Sequence, residues 1–179
     1  MAKTYKKRYY KRRTGRWSSN ISEISSAVVN ANAGANIATY QLVTNPVQDV
    51  QTTSQQFTVK NFDVSFTTEY SSASSQAINA NLIEDIAAYI MYVPQGMTVT
   101  ENYNLQHPEY IMNYKYYGSP STDSSQQYQP YKIRTRLARK LNTGDSVILF
   151  LKYNYANTAG VSGTIFELHG LCRWWSKAN

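Results

Sequence analysis

From Tyr131 to Leu137 the chain alternates without a break: Tyr131, Ile133, Thr135 and Leu137 interleave with Lys132, Arg134 and Arg136. Successive side chains of a strand point to opposite faces, so this period of two predicts a strand with one face toward a core and a cationic face turned away from it. Helical spacing is hard to find, and strand spacing recurs along the whole chain. In Phe57 to Phe66 the apolar phase is first odd, with Phe57 and Val59, then even, with Phe62, Val64 and Phe66. One extra residue near Lys60 and Asn61 restores inward pointing, which predicts a β-bulge there.

Further strands are expected at Ile24 to Val29, Ile37 to Val43, Ala87 to Val93, Glu109 to Tyr117, Val147 to Tyr153 and Thr164 to Trp175, making eight in all. Thr44 to Gln56, Ser71 to Asn81 and Gly118 to Pro130 are rich in Ser, Gln, Asn and Pro. They read as long loops, the last two on an outer surface where insertions are tolerated. Asn142-Thr143-Gly144-Asp145 reads as a tight hairpin turn. A chain of 179 residues, 42% of them hydrophobic, suffices for one domain with a full core. The expected fold is all-β, an eight-stranded antiparallel jelly-roll sandwich. An immunoglobulin-like sandwich fits less well, because the Cys pair is missing and the loops are longer than that fold needs.

Charge is concentrated at one end. Eight of the 18 Lys and Arg precede Trp17, namely Lys3, Lys6, Lys7, Arg8, Lys11, Arg12, Arg13 and Arg16, with no acid among them. The ten remaining cations face all 11 acids, so the chain from Trp17 onward carries a formal −1 and the net +7 belongs to the arm. A block of like charge repels itself and buries little apolar surface, so residues 1–20 are expected to be a disordered arm and residues 21–179 the folded shell domain. Its natural partner is a polyanion. The interleaved rings Tyr5, Tyr9, Tyr10 and Trp17 favour nucleic acid over an anionic membrane surface, because bases stack on such rings.

No apolar run reaches the ~20 residues of a membrane helix, so neither secretion nor membrane insertion is indicated, and the Asn20-Ile21-Ser22 glycosylation sequon is expected to be silent. The lone Cys172 cannot form an internal disulfide and is expected to be buried and inert.

Three segments carry a resemblance. They are Tyr89-Ile90-Met91-Tyr92-Val93-Pro94-Gln95-Gly96-Met97, then Arg134-Thr135-Arg136-Leu137-Ala138-Arg139-Lys140-Leu141-Asn142-Thr143-Gly144-Asp145, and the ending Leu168-His169-Gly170-Leu171-Cys172-Arg173-Trp174-Trp175-Ser176-Lys177-Ala178-Asn179. Together with the arm they resemble the capsid proteins of small circular single-stranded DNA viruses of the circovirus-like kind. The resemblance implies a jelly-roll subunit that closes into an icosahedral homo-oligomeric shell of about 60 copies. It also implies an arm that packages a single-stranded DNA genome and serves as a nuclear localisation signal for a host import receptor. The protein would then reside in the virion and, during assembly, in the host nucleus, with a host attachment factor left unidentified. The arm is short beside the long Arg-rich arms usual in circoviruses. Other basic residues or mobile cations must therefore neutralise part of the genome.

Lys132, Arg134 and Arg136, followed by Arg139 and Lys140, are candidates for that role. They could equally pair with Glu84, Asp85, Glu101 or Glu109 of a neighbouring subunit. Strict alternation in Tyr103 to Tyr117 places Tyr110, Met112, Tyr114 and Tyr116 on one face and Ile111, Lys115 and Tyr117 on the other, which packing or a subunit contact explains without any base. Trp174 and Trp175 are expected on opposite faces, one in the core. With His107 and His169 the only histidines and no metal-ligand spacing, no enzyme, cofactor or metal is expected; Glu167 and His169 suggest a salt bridge at most. A coat protein of a small or satellite RNA virus fits the same arm and sandwich, and a cellular single-strand-binding protein fits less well.

Overall fold

The computed structural model describes residues 16–29, 34–46, 56–70, 83–118, 129–155 and 164–178. Most of the arm and most of each of the three long loops lie outside the described residues. Among the described residues nine strands form two sheets: β1 (Ser18–Val29), β2 (Gly34–Thr44), β3 (Phe57–Tyr70), β4 (Ile83–Val93), β5 (Ile111–Gly118), β6 (Gln129–Thr135), β7 (Arg139–Leu141), β8 (Ser146–Tyr155) and β9 (Thr164–Ala178). The first sheet runs β1-β9-β3-β6 with β7 also on β3, and the second runs β2-β8-β4-β5. Every pairing among the described residues is antiparallel, and all but β4 with β5 join strands that are not consecutive in the chain, which is the jelly-roll connectivity. All eight expected strands are present. The sixth, expected to run to Leu137, ends at Thr135; Arg136 to Ala138 leave the ladder, and Arg139–Leu141 re-enters it as a strand that was not expected.

That interruption follows from the bulge in β3. Lys60 pairs with Trp175 and Asp63 with Arg173, so two residues of β3 stand against one of β9. Asn61 absorbs the extra residue at φ 54°, a left-handed conformation that Asn tolerates better than most side chains. Val59 before the break and Phe62, Val64 and Phe66 after it are all buried in one core. Before the bulge β3 pairs with β7, after it with β6, so the strand opposite the bend is interrupted.

The core lies between the sheets. Strands β4 and β8 contribute Ile86, Ala88 and Ile90, and Val147, Leu149 and Leu151. Their other faces are buried too, with Met91, Val93, Ile148 and Phe150 packed against Tyr103, Val99 and Tyr110. These last residues belong to the connection after β4, which carries a single helical turn, α1 (Tyr103–Gln106), and a 3-10 turn at Pro108–Tyr110. It folds back over the second sheet and buries Tyr103 to 1% exposure. Glu109 and Tyr110 therefore lie in this cover and not in a strand as expected.

Asp145 fixes the cover to the sandwich. The Asn142–Asp145 turn forms as expected, with the Asp145 N–H donating to the Asn142 carbonyl at 3.0 Å and Gly144 at φ 83°. The buried Asp145 carboxylate accepts from the Tyr92 hydroxyl at 2.7 Å, the Gln95 N–H at 3.0 Å and the Asn142 N–H at 2.8 Å. One side chain thus ties the β7–β8 turn, the end of β4 and the root of the cover.

Two expectations are corrected here. Strict alternation fails in β5, whose pairing with β4 slips between Ile86 and Ala87 and again between Ile90 and Met91. The slips turn Met112 and Tyr117 toward the core while Tyr114 and Tyr116 stay exposed, so the four residues expected on one face are divided. Likewise Leu137 is exposed: β6 ends at Thr135, whose buried hydroxyl donates to the Met112 carbonyl and accepts the Leu137 N–H. β1 opens at Ser18, within the segment expected to be arm.

Two consequences are measurable. Asp145→Ala strands two backbone donors and a hydroxyl, and is expected to cost about 3 kcal/mol in urea unfolding, against about 1 kcal/mol for Tyr92→Phe, which removes one partner. A smaller loss for Asp145→Ala than for Tyr92→Phe would contradict the role given to the carboxylate. Burial pushes Tyr92, Tyr103, Tyr117 and Tyr153 up to about 12 from an ordinary 10. Between those values the unfolded chain sheds protons that the folded chain keeps, so stability is full below pH 10 and falls as pH rises toward 12. Unfolding midpoints followed together with tyrosine ionisation should show that decline.

Candidate nucleic-acid interface

The outer face of the first sheet follows from alternation. In β9, Cys172 is buried and Trp174 packs against the core, stacked on Phe62 with ring centroids 6.3 Å apart, so Arg173, Trp175 and Lys177 point away. In β6, buried Tyr131 and Ile133 leave Lys132 and Arg134 exposed, and in β7 buried Leu141 leaves Lys140 exposed. The bulge brings Lys60 onto the same face. The pairing aligns these residues in rows: Ile21, Arg173, Asp63 and Arg134 across four strands, then Glu23, Leu171, Ser65 and Lys132. Arg136, just past β6, lines a pocket with Arg134 and Trp175.

Seven of the ten cations beyond the arm therefore share one face: Lys60, Lys132, Arg134, Arg136, Lys140, Arg173 and Lys177. Among the described acids only Asp63 and Glu23 stand in their rows, and Asp63 is taken by Arg134, Nε to Oδ1 at 2.8 Å. A domain of formal charge −1 is thus polarised, with an excess of positive charge on one sheet. Toward the other end of β9 stands the expected Glu167–His169 pair at 3.5 Å.

The arm leaves from this face. Arg16 and Trp17 are exposed, and Ser18 and Ser19 pair with Ser176 and Trp175. Lys60 Nζ lies 3.8 Å above the Trp17 ring, and the Arg173 guanidinium lies 4.7 Å from the Trp175 ring. Two indoles with cations on their faces stand beside the arm root, a combination that suits phosphates and stacked bases. Ile21 and Leu171 are 69% and 53% exposed on the same surface.

Of the residues expected to bind nucleic acid, Arg16, Trp17, Lys132, Arg134 and Arg136 are thus brought to one surface. Lys3, Lys6, Lys7, Arg8, Lys11, Arg12, Arg13, Tyr9 and Tyr10 lie outside the described residues. Arg139 leaves the group: its guanidinium lies 5.5 Å from the Tyr92 ring and donates to the Glu109 carbonyl. Lys60, Arg173, Trp175 and Lys177 were missed, although the alternation of Arg173, Trp175 and Lys177 with Cys172 and Trp174 marks them once β9 is treated as a strand.

The exposed tyrosines lie elsewhere. Tyr114 stacks on Tyr89 with centroids 5.9 Å apart, and the Tyr116 hydroxyl donates to Asp85 at 3.3 Å, both on the outer side of the second sheet. Cys172 is fully buried, and burial pushes its thiol up to about 12. Among the described residues no three metal-ligating side chains converge.

No known protein family matches this sequence, and no curated protein matches it. Among solved structures the chain is similar to one titled Desmodium yellow mottle tymovirus, at 12% identity and a TM-score of 0.42 over 92% of this chain and 88% of that one. A likeness that faint adds nothing to the functional argument, which rests on the geometry of the sandwich and its charged face.

Proposed function

We propose that this chain is the coat protein of a small virus, a subunit that closes into an icosahedral shell around a single-stranded genome. One observation carries the reading. An acid-free arm with eight cations departs from a jelly roll at the edge of a sheet whose outer face gathers seven more. A soluble single-strand-binding domain normally places its cations in a groove of the fold and needs no such arm. Exposed apolar side chains on both outer surfaces, among them Ile21, Leu171, Tyr114 and Tyr116, supply contacts for neighbouring copies.

Arm and sheet divide the work. Lys and Arg of the arm neutralise phosphates and displace counterions, and its Tyr residues offer stacking platforms. The sheet face nearly doubles the cations each copy presents, which supplies what a short arm lacks. The resemblance to circovirus-like capsid proteins supports circular single-stranded DNA as the cargo and about 60 copies as the shell. The same resemblance and the Lys and Arg cluster support nuclear entry before assembly.

Electron microscopy of the purified protein is expected to show closed shells, with contents that resist nuclease until the shells are opened and then yield to DNase but not RNase. A monodisperse monomer in light scattering across wide ranges of salt and concentration would contradict the shell. Contents that yield to RNase would instead make this the coat of an RNA virus.

A further inference from the structure

The register break in β3 opens a pocket on the basic face. It has a volume of about 280 Å³ and is lined by Asn61, Phe62, Asp63, Arg134, Arg136 and Trp175 among others. We infer that this pocket holds one base of the packaged single strand, its ring against Trp175 and its flanking phosphates on Arg134 and Arg136. The inference rests on the packaging function proposed above and assigns it a specific subsite.

Four observations converge on it. The pocket lies at the bulge, where Asn61 in its left-handed conformation lines it beside Trp175. Its lining is mixed: Trp175 offers apolar and aromatic surface, with the buried Phe62 behind the pocket floor, while two guanidinium groups stand at its rim. A bare phosphate has no use for the apolar part, and an apolar segment has none for the cations. A nucleotide uses both.

The third observation is Asp63. An acidic segment of a neighbouring protein would meet a repelling carboxylate there, whereas the amino and imino groups of a base edge can donate to it. The Arg134 bridge at 2.8 Å offsets its charge toward nearby phosphates. Fourth, Asp63 and Arg134 also line a second pocket of about 280 Å³ with Lys132, Leu171 and Arg173. The two pockets flank one ion pair, so a strand crossing Arg134 passes from one to the other. Trp175 pairs with Ser19 and with Lys60, which covers Trp17, so a strand gripped by the arm arrives beside the first pocket.

The full-length chain tests this directly. Photo-crosslinking to a single-stranded DNA oligomer containing 5-iodouracil, followed by peptide mapping, is expected to mark Trp175 or the segment 60–63. Crosslinks confined to residues 1–17 would overturn the pocket while leaving packaging by the arm intact, and failure to bind any strand would overturn both. Affinity for the same oligomer is expected to fall roughly tenfold in Trp175→Leu, with affinity for an abasic strand of equal length unchanged. Arg136→Ser should weaken both strands. If Trp175→Leu does not fold, crosslinking of the unaltered chain decides. Trp175 shielded equally in empty and filled shells would assign the pocket to a neighbouring subunit and overturn the inference.

Discussion

The extra residue in β3 is the constraint on which the rest of this structure depends. A strand of 14 residues that must bury one face along its whole length cannot do so while bending, unless its phase is reset at the bend. Asn61 resets it. Val59 and Phe62 both reach the core as a result, β9 stays paired on either side of the break, and the ladder opposite it is interrupted between β6 and β7. The same break brings Lys60 outward and leaves the pocket beside Trp175. A feature required by packing therefore also shapes the charged surface.

Electrostatics explains why that surface is useful. The domain from Trp17 onward is almost neutral in sum, which limits self-repulsion when many copies are brought together. Its charge is nevertheless sorted, with an excess of cations on the first sheet and the Asp145 carboxylate buried in hydrogen bonds at the β7–β8 turn. A strand would meet a positive sheet at the root of a positive arm. Neither the domain alone nor the arm alone shows this arrangement, because it appears only once strand pairing aligns Arg173, Asp63 and Arg134 in one row.

Much of the fold was legible in the sequence, and the reasons are local. Period-two alternation marks β6 because one of its faces is buried and the other is wet. The phase slip between Val59 and Phe62 marks the bulge for the same reason. The Asn-Thr-Gly-Asp turn is visible because Gly144 must take a positive φ. What stayed hidden depends on tertiary contacts. The apolar run from Ala87 to Val93 marks a strand but not the segment that covers its second face, since Tyr103 and Tyr110 show no pattern that assigns them to that role. The slips in β5 are set by its partner β4 and so leave no trace in alternation. The charged face was half legible: Lys132, Arg134 and Arg136 stand out as a run, whereas Lys60, Arg173 and Lys177 join them only through pairing.

The central claim is that the sheet face and the arm hold the strand together. Its most direct test is the dependence of single-strand affinity on salt, compared between the full chain and a variant with Lys132, Arg134, Arg136 and Arg173 all changed to Gln. Each phosphate contact on a single strand contributes about −0.7 to the log–log slope, so loss of four contacts should reduce its magnitude by up to about 2.8 while the arm's share remains. An unchanged slope in a variant that still folds would place every phosphate contact in the arm and contradict the account.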